Sequence, residues 1–399
     1  MTDRHVIDTH TEYESSLRAI AAGTGPVAVD TERASGYRYS QKAYLIQVFR
    51  RGAGVFLYDA PAIGRFDDLN AVVGDDEWVL HAASQDLPCL REVGIDPQTL
   101  FDTELAARLL GMSKVGLGAV VEDTLGIHLA KEHSAADWST RPLPQSWLEY
   151  AALDVELLVD VRDELEALLV EQRKTRIARE EFEAELGAEP KPPRPDPWRK
   201  LSGIHSVRGT RHLAVARELW TARDDLARET DTAPGRLVPD RALVAVVKAM
   251  PTSKDALAGL REFTGRASRT ELDRWWAAVE HGLTTDDVPE ARRSNGDHVP
   301  PPRAWADRDP EADARLKRAK PAVAQIAEAL EMPVENLLKP AYLREISWNP
   351  PEPADREHIA ARLAELGARP WQCDATAQSI AQAFVDAAQN GAPEPEPES

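Results

Sequence analysis

The chain has 399 residues, enough for two or three domains with separate cores, and its 43% hydrophobic and 29% charged composition is globular. A net charge of −19 excludes a simple polyanion binder over the whole length, and two distant cysteines, Cys89 and Cys373, exclude a disulfide framework and a zinc site. The first residues, MTDRHVIDTH, contain no apolar signal region and no run approaches the length of a membrane helix, so a soluble, cytoplasmic protein is expected.

In chain order, GPVAVDTE predicts a strand, and AYLIQVFRRGAGVFLYDA predicts two strands joined by a tight turn at Arg51–Gly54. DEWVLHAA predicts a fourth strand, followed by a helix over SQDLPCLREVG with Ser84 as its N-cap. TLFDTELAARLLG reads as a short strand running into a helix that stops at Gly111, and VGLGAVVEDTLGI reads as another helix. From Pro144 to Leu186 the periodicity is helical throughout. A hairpin-bearing mixed sheet flanked by helices accommodates this order.

Two proline-rich polar stretches, Gly187–Trp198 and Thr284–Trp305, read as linkers, and the tail NGAPEPEPES reads as disordered. They divide the chain into domains at 1–187, 205–283 and 303–389, followed by an acidic tail at 390–399. The second and third domains show short amphipathic helices and no strands. Residues 1–200 carry 22 basic and 35 acidic side chains (−13), residues 201–283 carry 13 and 11 (+2), and residues 284–399 carry 13 and 21 (−8). The middle domain is thus the one best suited to phosphate.

Asp30 and Glu32, at i and i+2, share one face of their strand. Such an alternation alone marks a solvated strand face, but the preceding PVAV argues for burial, where like charges repel unless a cation lies between them. Asp86 stands at the start of a helix, a position the helix dipole favours for any acid. Tyr150 and Asp154, at i and i+4, emerge one turn apart on one helix face. Together these residues offer four carboxylates and a phenol, and such hard oxygen ligands suit Mg²⁺ or Mn²⁺. Two such ions held by shared carboxylates support in-line phosphodiester cleavage.

VAVDTE, HAASQDLPCL and KEHSAADWSTRPLPQSWLEYAALDVELL resemble the three exonuclease motifs of the ribonuclease D family, within the DEDD 3′→5′ exonucleases whose third motif carries tyrosine four residues before aspartate. FDTELAARLLG and DWSTRPL resemble further family segments, so the likeness covers roughly the first 180 residues. It implies a ribonuclease H-like α/β exonuclease domain in which Asp30, Glu32 and Asp154 hold one metal, Asp30 bridges to a second, and Asp86 supports that second ion directly or through water. Tyr150 would orient or help deprotonate the attacking water. Lys131 and Arg141 are candidate phosphate contacts, while His81 and His128 are expected in structural roles. LWTARDDLARETDTAPGRLVPDRALVAVVKAMPTSKDAL resembles an HRDC domain, with Arg236, Arg241, Lys248 and Lys254 as candidate phosphate contacts. Trp275 and Trp276 fit a helical core better than base stacking. The third domain resembles a second, diverged HRDC module that braces the catalytic domain.

The resemblance implies a metal-dependent exoribonuclease that trims RNA with a free 3′ end, precursor tRNA being the substrate class, to nucleoside 5′-monophosphates. The same chemistry on DNA and a non-catalytic nucleic-acid scaffold are the alternatives. Nothing in the sequence calls for an obligate protein partner.

Overall fold

The computed structural model describes residues 4–129, 136–190, 192–291 and 299–392. In its first part, strands rich in β-branched and aromatic residues pair into one six-stranded sheet. The elements in order are β1 (Val6–Ile7), α1 (His10–Ala22), β2 (Thr24–Arg33), β3 (Ala43–Arg51), β4 (Gly54–Asp59), α2 (Ala60–Ile63), α3 (Asp67–Val73), β5 (Glu77–Leu80), α4 (Leu87–Glu92), β6 (Thr99–Asp102), α5 (Thr103–Leu109) and α6 (Leu117–Leu125). α7 (Gln145–Glu156), α8 (Leu158–Glu171) and α9 (Thr175–Leu186) complete this part. The sheet order is β1-β4-β3-β2-β5-β6, antiparallel across β2, β3 and β4 and parallel at the other junctions. The expected hairpin is β3–β4, closed by the Ala53 amide donating to the Arg50 carbonyl at 3.1 Å. β1 was not foreseen, because two residues are too short to show an alternating pattern.

Two expectations are corrected. Ser84 does not cap a helix: Ala83–Gln85 form a 3₁₀ turn, and α4 starts at Leu87 because Pro88, lacking an amide hydrogen, fits only a first helical turn. The helical run after Pro144 is not continuous. α7 packs Leu148, Ala151 and Ala152 with Leu45 and Leu57 on one face of the sheet, whereas α8 places Leu158, Val161 and Leu165 in the main core with Ile46 and Val48 from the other face. One straight helix cannot serve both faces, so the chain turns at Leu157, and again at Arg173, whose φ is 56°.

The middle domain comprises α10 (Thr210–Thr230), α11 (Pro234–Leu237), α12 (Asp240–Ala249), α13 (Lys254–Ala258), α14 (Arg266–Thr270) and α15 (Leu272–Thr284), around a core of its own. α10 and α15 cross so closely that a Cβ on Gly282 would lie 2.6 Å from Val215 Cα. Trp275 is fully buried there, edge-on to Phe263 with ring centroids 6.2 Å apart, and its indole N–H donates to the Ala267 carbonyl. Trp276 packs half-buried against the same core.

The third unit comprises α16 (Trp305–Arg308), α17 (Pro310–Ala329), α18 (Val334–Leu337), α19 (Pro340–Trp348), α20 (Arg356–Glu365) and α21 (Pro370–Asn390). Its core is continuous with that of the sheet domain. Buried Lys174 donates to the carbonyls of Leu109 (2.8 Å) and Glu331 (3.3 Å), and the Trp371 indole N–H donates to buried Glu181 at 2.9 Å. The middle domain instead docks on the connection between β2 and β3. Asp231 accepts from the Ser40 amide (2.9 Å) and the Tyr44 hydroxyl (3.3 Å), while the Tyr39 hydroxyl donates to Asp224. Among the described residues, no helix is long and apolar enough to cross a membrane.

Candidate active site

β2 runs parallel to β5 and continues past its end, and the candidate site lies at the carboxyl ends of the two strands, the usual place for ligands in such sheets. Alternation along β2 sends side chains two ways. Asp30 and Glu32 face α7, where Ala151 and Ala152 allow close approach of helix and sheet. That approach brings Asp154 to the pair, so that oxygens of Asp30, Glu32 and Asp154 all lie within 4.8 Å of one another. The intervening residues reach the opposite side. The Thr31 hydroxyl donates to Asp86 Oδ1 at 2.6 Å, and Arg33 donates to the Gln85 carbonyl while lying 3.7 Å from the same Asp86 oxygen. Asp86 therefore stands apart from the three clustered acids, anchored by the other face of the same strand.

Burial and mutual repulsion set the electrostatics. Burial, then the Asp86 and Asp154 carboxylates, raise Asp30 well above the usual carboxylate range. Burial, then the Asp30, Asp154 and Asp86 carboxylates, push Glu32 up to about 10, and burial pushes Asp154 up to about 7. Asp86 is pushed up by burial only to about 6, because Thr31 and Arg33 favour its charged form. The Tyr150 hydroxyl donates to Asp154, and burial together with the neighbouring carboxylates raises its pKa, which keeps it a neutral phenol. Three carboxylates this close cannot all ionise without a cation, and an all-oxygen donor set fits a hard divalent ion.

The acids open into a cleft of about 590 Å³ whose walls include Arg33, His81, Gln85, Lys114 and the start of α6. Arg33, Thr31, Lys114 and Gln85 were not foreseen. Thr31 and Arg33 could have been found from the same alternation that marks Asp30 and Glu32. His81 is held in the wall by Thr103 at 2.9 Å, and burial lowers its pKa. His128 is not structural; it is a surface residue near Glu122.

The expected phosphate contacts divide. Lys131 lies outside the described residues. Arg141 does not face the cleft: it pairs with Asp59 through Nε (2.5 Å) and Nη2 (3.0 Å) and donates to the Tyr44 and Trp138 carbonyls. Arg236 is spent on the domain contact, donating to the Gly36 carbonyl at 2.8 Å with its guanidinium 3.8 Å from the Tyr37 ring centroid. Lys254 pairs with Asp273. Arg241 and Lys248 are exposed on α12.

Residues 4–170 match the family model of a 3′–5′ exonuclease, residues 212–279 that of an HRDC domain, and residues 298–384 that of a 3′ to 5′ exonuclease C-terminal domain. Ribonuclease D of Pseudomonas paraeruginosa is 32% identical over 253 residues, 62% of this chain and 66% of that protein. Ribonuclease D of Escherichia coli is 33% identical over 248 residues, 59% of this chain and 63% of that protein. The crystal structure of Escherichia coli RNase D superposes over 96% of this chain and 99% of that one, with a TM-score of 0.68 and 26% identity. The chain belongs to the ribonuclease D family. A crystal structure of a protein from Bifidobacterium adolescentis, 40% identical, superposes over 96% and 97% of the two chains with a TM-score of 0.87. The alignments span under two thirds of the length of the two curated ribonuclease D relatives. Membership of this DEDD family implies dependence on a divalent metal, in keeping with the clustered acids. For the third unit the matching model is the exonuclease C-terminal domain, and the HRDC model matches residues 212–279 of the middle domain.

Proposed function

We propose that this chain is a metal-dependent 3′→5′ exoribonuclease that releases nucleoside 5′-monophosphates from RNA 3′ ends, with precursor tRNA as the substrate class. The observation that carries this reading is the cluster of Asp30, Glu32 and Asp154, with Tyr150 and Asp86 beside it, at the base of an open cleft. Asp30, Glu32 and Asp154 would hold one ion, with Asp30 shared to a second that Asp86 supports. When bound, a pair of Mg²⁺ or Mn²⁺ ions would supply activation of the attacking water and charge stabilisation of the leaving oxygen. Tyr150, tied to Asp154, would orient that water or help deprotonate it. Thr31 and Arg33 hold Asp86 in its charged form at the far wall.

The proposed domains are 1–187, 205–283 and 303–389; support comes from the family matches at 4–170, 212–279 and 298–384 and from the separate middle core, while α21 runs one residue further, to Asn390. The last seven residues of the acidic tail, 393–399, lie outside the described residues. Arg241 and Lys248 are the remaining candidates for RNA contact on the middle domain. The third unit repeats the order of the HRDC helices, with a long helix, short ones and a closing long helix, which supports reading it as a diverged relative that braces the site.

The test is incubation of the pure protein with a 3′-extended tRNA and with a DNA oligonucleotide of matched length, in Mg²⁺ or Mn²⁺. Stepwise loss of 3′ nucleotides as 5′-monophosphates from the RNA is expected, abolished by Asp154→Asn. Faster loss of the DNA, or activity indifferent to Asp154→Asn, overturns the proposal.

A further inference from the structure

Gln47 lies in the middle of β3, fully buried, and neither its Oε1 nor its Nε2 has a hydrogen-bond partner among the described residues. Each buried polar group left unpaired costs about 1–3 kcal/mol, so a carboxamide in such a place calls for a reason. The sheet register supplies one. Gln47 stands opposite Asp30 across β2 and β3, and opposite Leu57 across β3 and β4. Residues directly opposite on antiparallel strands share a face, with Cβ atoms about 4.5–5.5 Å apart. Along β3 the neighbours on that face are Leu45 and Phe49, so of the four nearest positions only Asp30 is polar. The lid over this face is α7, whose Leu148, Ala151 and Ala152 pack with Leu45 and Leu57, and buried Trp138 and half-buried Tyr150 belong to the same cluster. The carboxamide is thus buried among mostly apolar side chains, and the polar residue directly opposite it is the acid at the base of the cleft.

We propose that Gln47 is a positioning residue of the metal site, whose Nε2 donates to the Asp30 carboxylate when Asp30 holds a cation. This rests on the metal-site reading above. A neutral donor beneath Asp30 orients the carboxylate without competing for the ligand oxygens. An arginine or lysine there would pair with the acid and displace the metal. A leucine would leave the carboxylate with no donor to orient it. Glutamine reaches across the strand spacing and adds no charge. The same donor fixes the carboxylate plane, so that the remaining oxygen points to the cleft.

The test is Gln47→Met in the full chain, a change close in length and volume that removes both hydrogen-bonding groups. Melting is followed in EDTA and along a Mn²⁺ titration, and the Mn²⁺ midpoint is measured independently by calorimetry. The melting temperature in EDTA should match or exceed that of the wild type, because an unpaired buried amide has gone. The Mn²⁺ midpoint should rise about 10-fold or more, the usual effect of losing a group that orients a ligand. RNA turnover at saturating Mn²⁺ should largely recover, so the defect reads as metal affinity rather than rate. Gln47→Leu should give the same pattern, and covers the case in which methionine disturbs the packing. A lower melting temperature with an unchanged Mn²⁺ midpoint would make Gln47 a packing residue and overturn the proposal alone. A wild type whose melting and calorimetry show no Mn²⁺ binding overturns the metal-site reading, and the proposal with it.

Discussion

Asp30→Asn places at position 30 a near copy of the protonated acid that burial already favours. Its stability in EDTA should therefore match or exceed the wild type, while the rise in melting temperature caused by millimolar Mg²⁺ or Mn²⁺ should disappear. RNA hydrolysis should fall by about 10³-fold or more. An Asp30→Asn protein that keeps both the metal shift and the activity would remove this residue from the site. Thr31→Val tests the opposite wall. The shape is kept, but the hydroxyl that donates to Asp86 Oδ1 at 2.6 Å is lost. A buried acceptor stripped of its donor should cost about 1–3 kcal/mol at neutral pH, measured by urea unfolding in EDTA. Equal stability of mutant and wild type would show that Arg33 alone anchors Asp86. At this scale the sequence was informative in one direction. Two spacings, i and i+2 in a strand and i and i+4 in a helix, put Asp30 and Glu32, and Tyr150 and Asp154, on shared faces, and the resemblance to the exonuclease motifs singled them out as one site. Thr31 and Arg33 lay in the same alternation, but their partner Asp86 is 53 to 55 positions away, just after a 3₁₀ turn that no local pattern announces. Arg236 was misread for a related reason. A cation on a helical domain has the same sequence whether it meets RNA or stacks on Tyr37 of its own chain.

At the scale of elements, the periodicity from Pro144 to Leu186 was read correctly as helical and wrongly as continuous. Its interruptions depend on which face of the sheet each turn covers, and that is a property of the tertiary fold. The last of the three helices also carries an untested dependence on pH. Glu185 of α9 accepts from the Ser84 amide at 3.1 Å and lies against Asp102, which itself accepts from the Ala82 and Ala83 amides. The two acids together hold the turn that leads to Asp86. Burial and the Asp102 carboxylate push Glu185 up from its ordinary 4.5 to about 8. The folded protein therefore binds a proton that the unfolded chain releases between those values, and folding stability falls as pH rises through that window. This contribution is complete below about 4.5 and absent above about 8. Glu185→Gln, which keeps a donor towards Asp102, should flatten the fall in melting temperature between pH 5 and pH 8 relative to wild type. Parallel wild-type and mutant profiles would show that Glu185 is ionised throughout.

For the whole molecule, the proline-rich linkers mark three units, but the cores divide them in two. The third unit shares its core with the sheet domain, whereas the middle domain has a core of its own and meets the sheet domain through polar groups around Tyr37, Tyr39 and Ser40. Composition gave no sign of this, since a linker is equally polar whether its ends dock or float. Calorimetry in EDTA should resolve two transitions, one for the middle domain and one for the sheet domain melting together with the third unit. Lys174→Met tests the coupling, because it leaves unpaired the carbonyls of Leu109 and Glu331, one from each of the joined units. At about 1–3 kcal/mol for each unpaired group, the joint transition should move down by several degrees while the middle-domain transition stays in place. Trp275→Ala should do the reverse, since that side chain is buried only in the middle core. If Lys174→Met instead splits the joint transition into two, the carbonyl staple carries most of the coupling. If both substitutions move every transition equally, the two-core description of the chain is wrong.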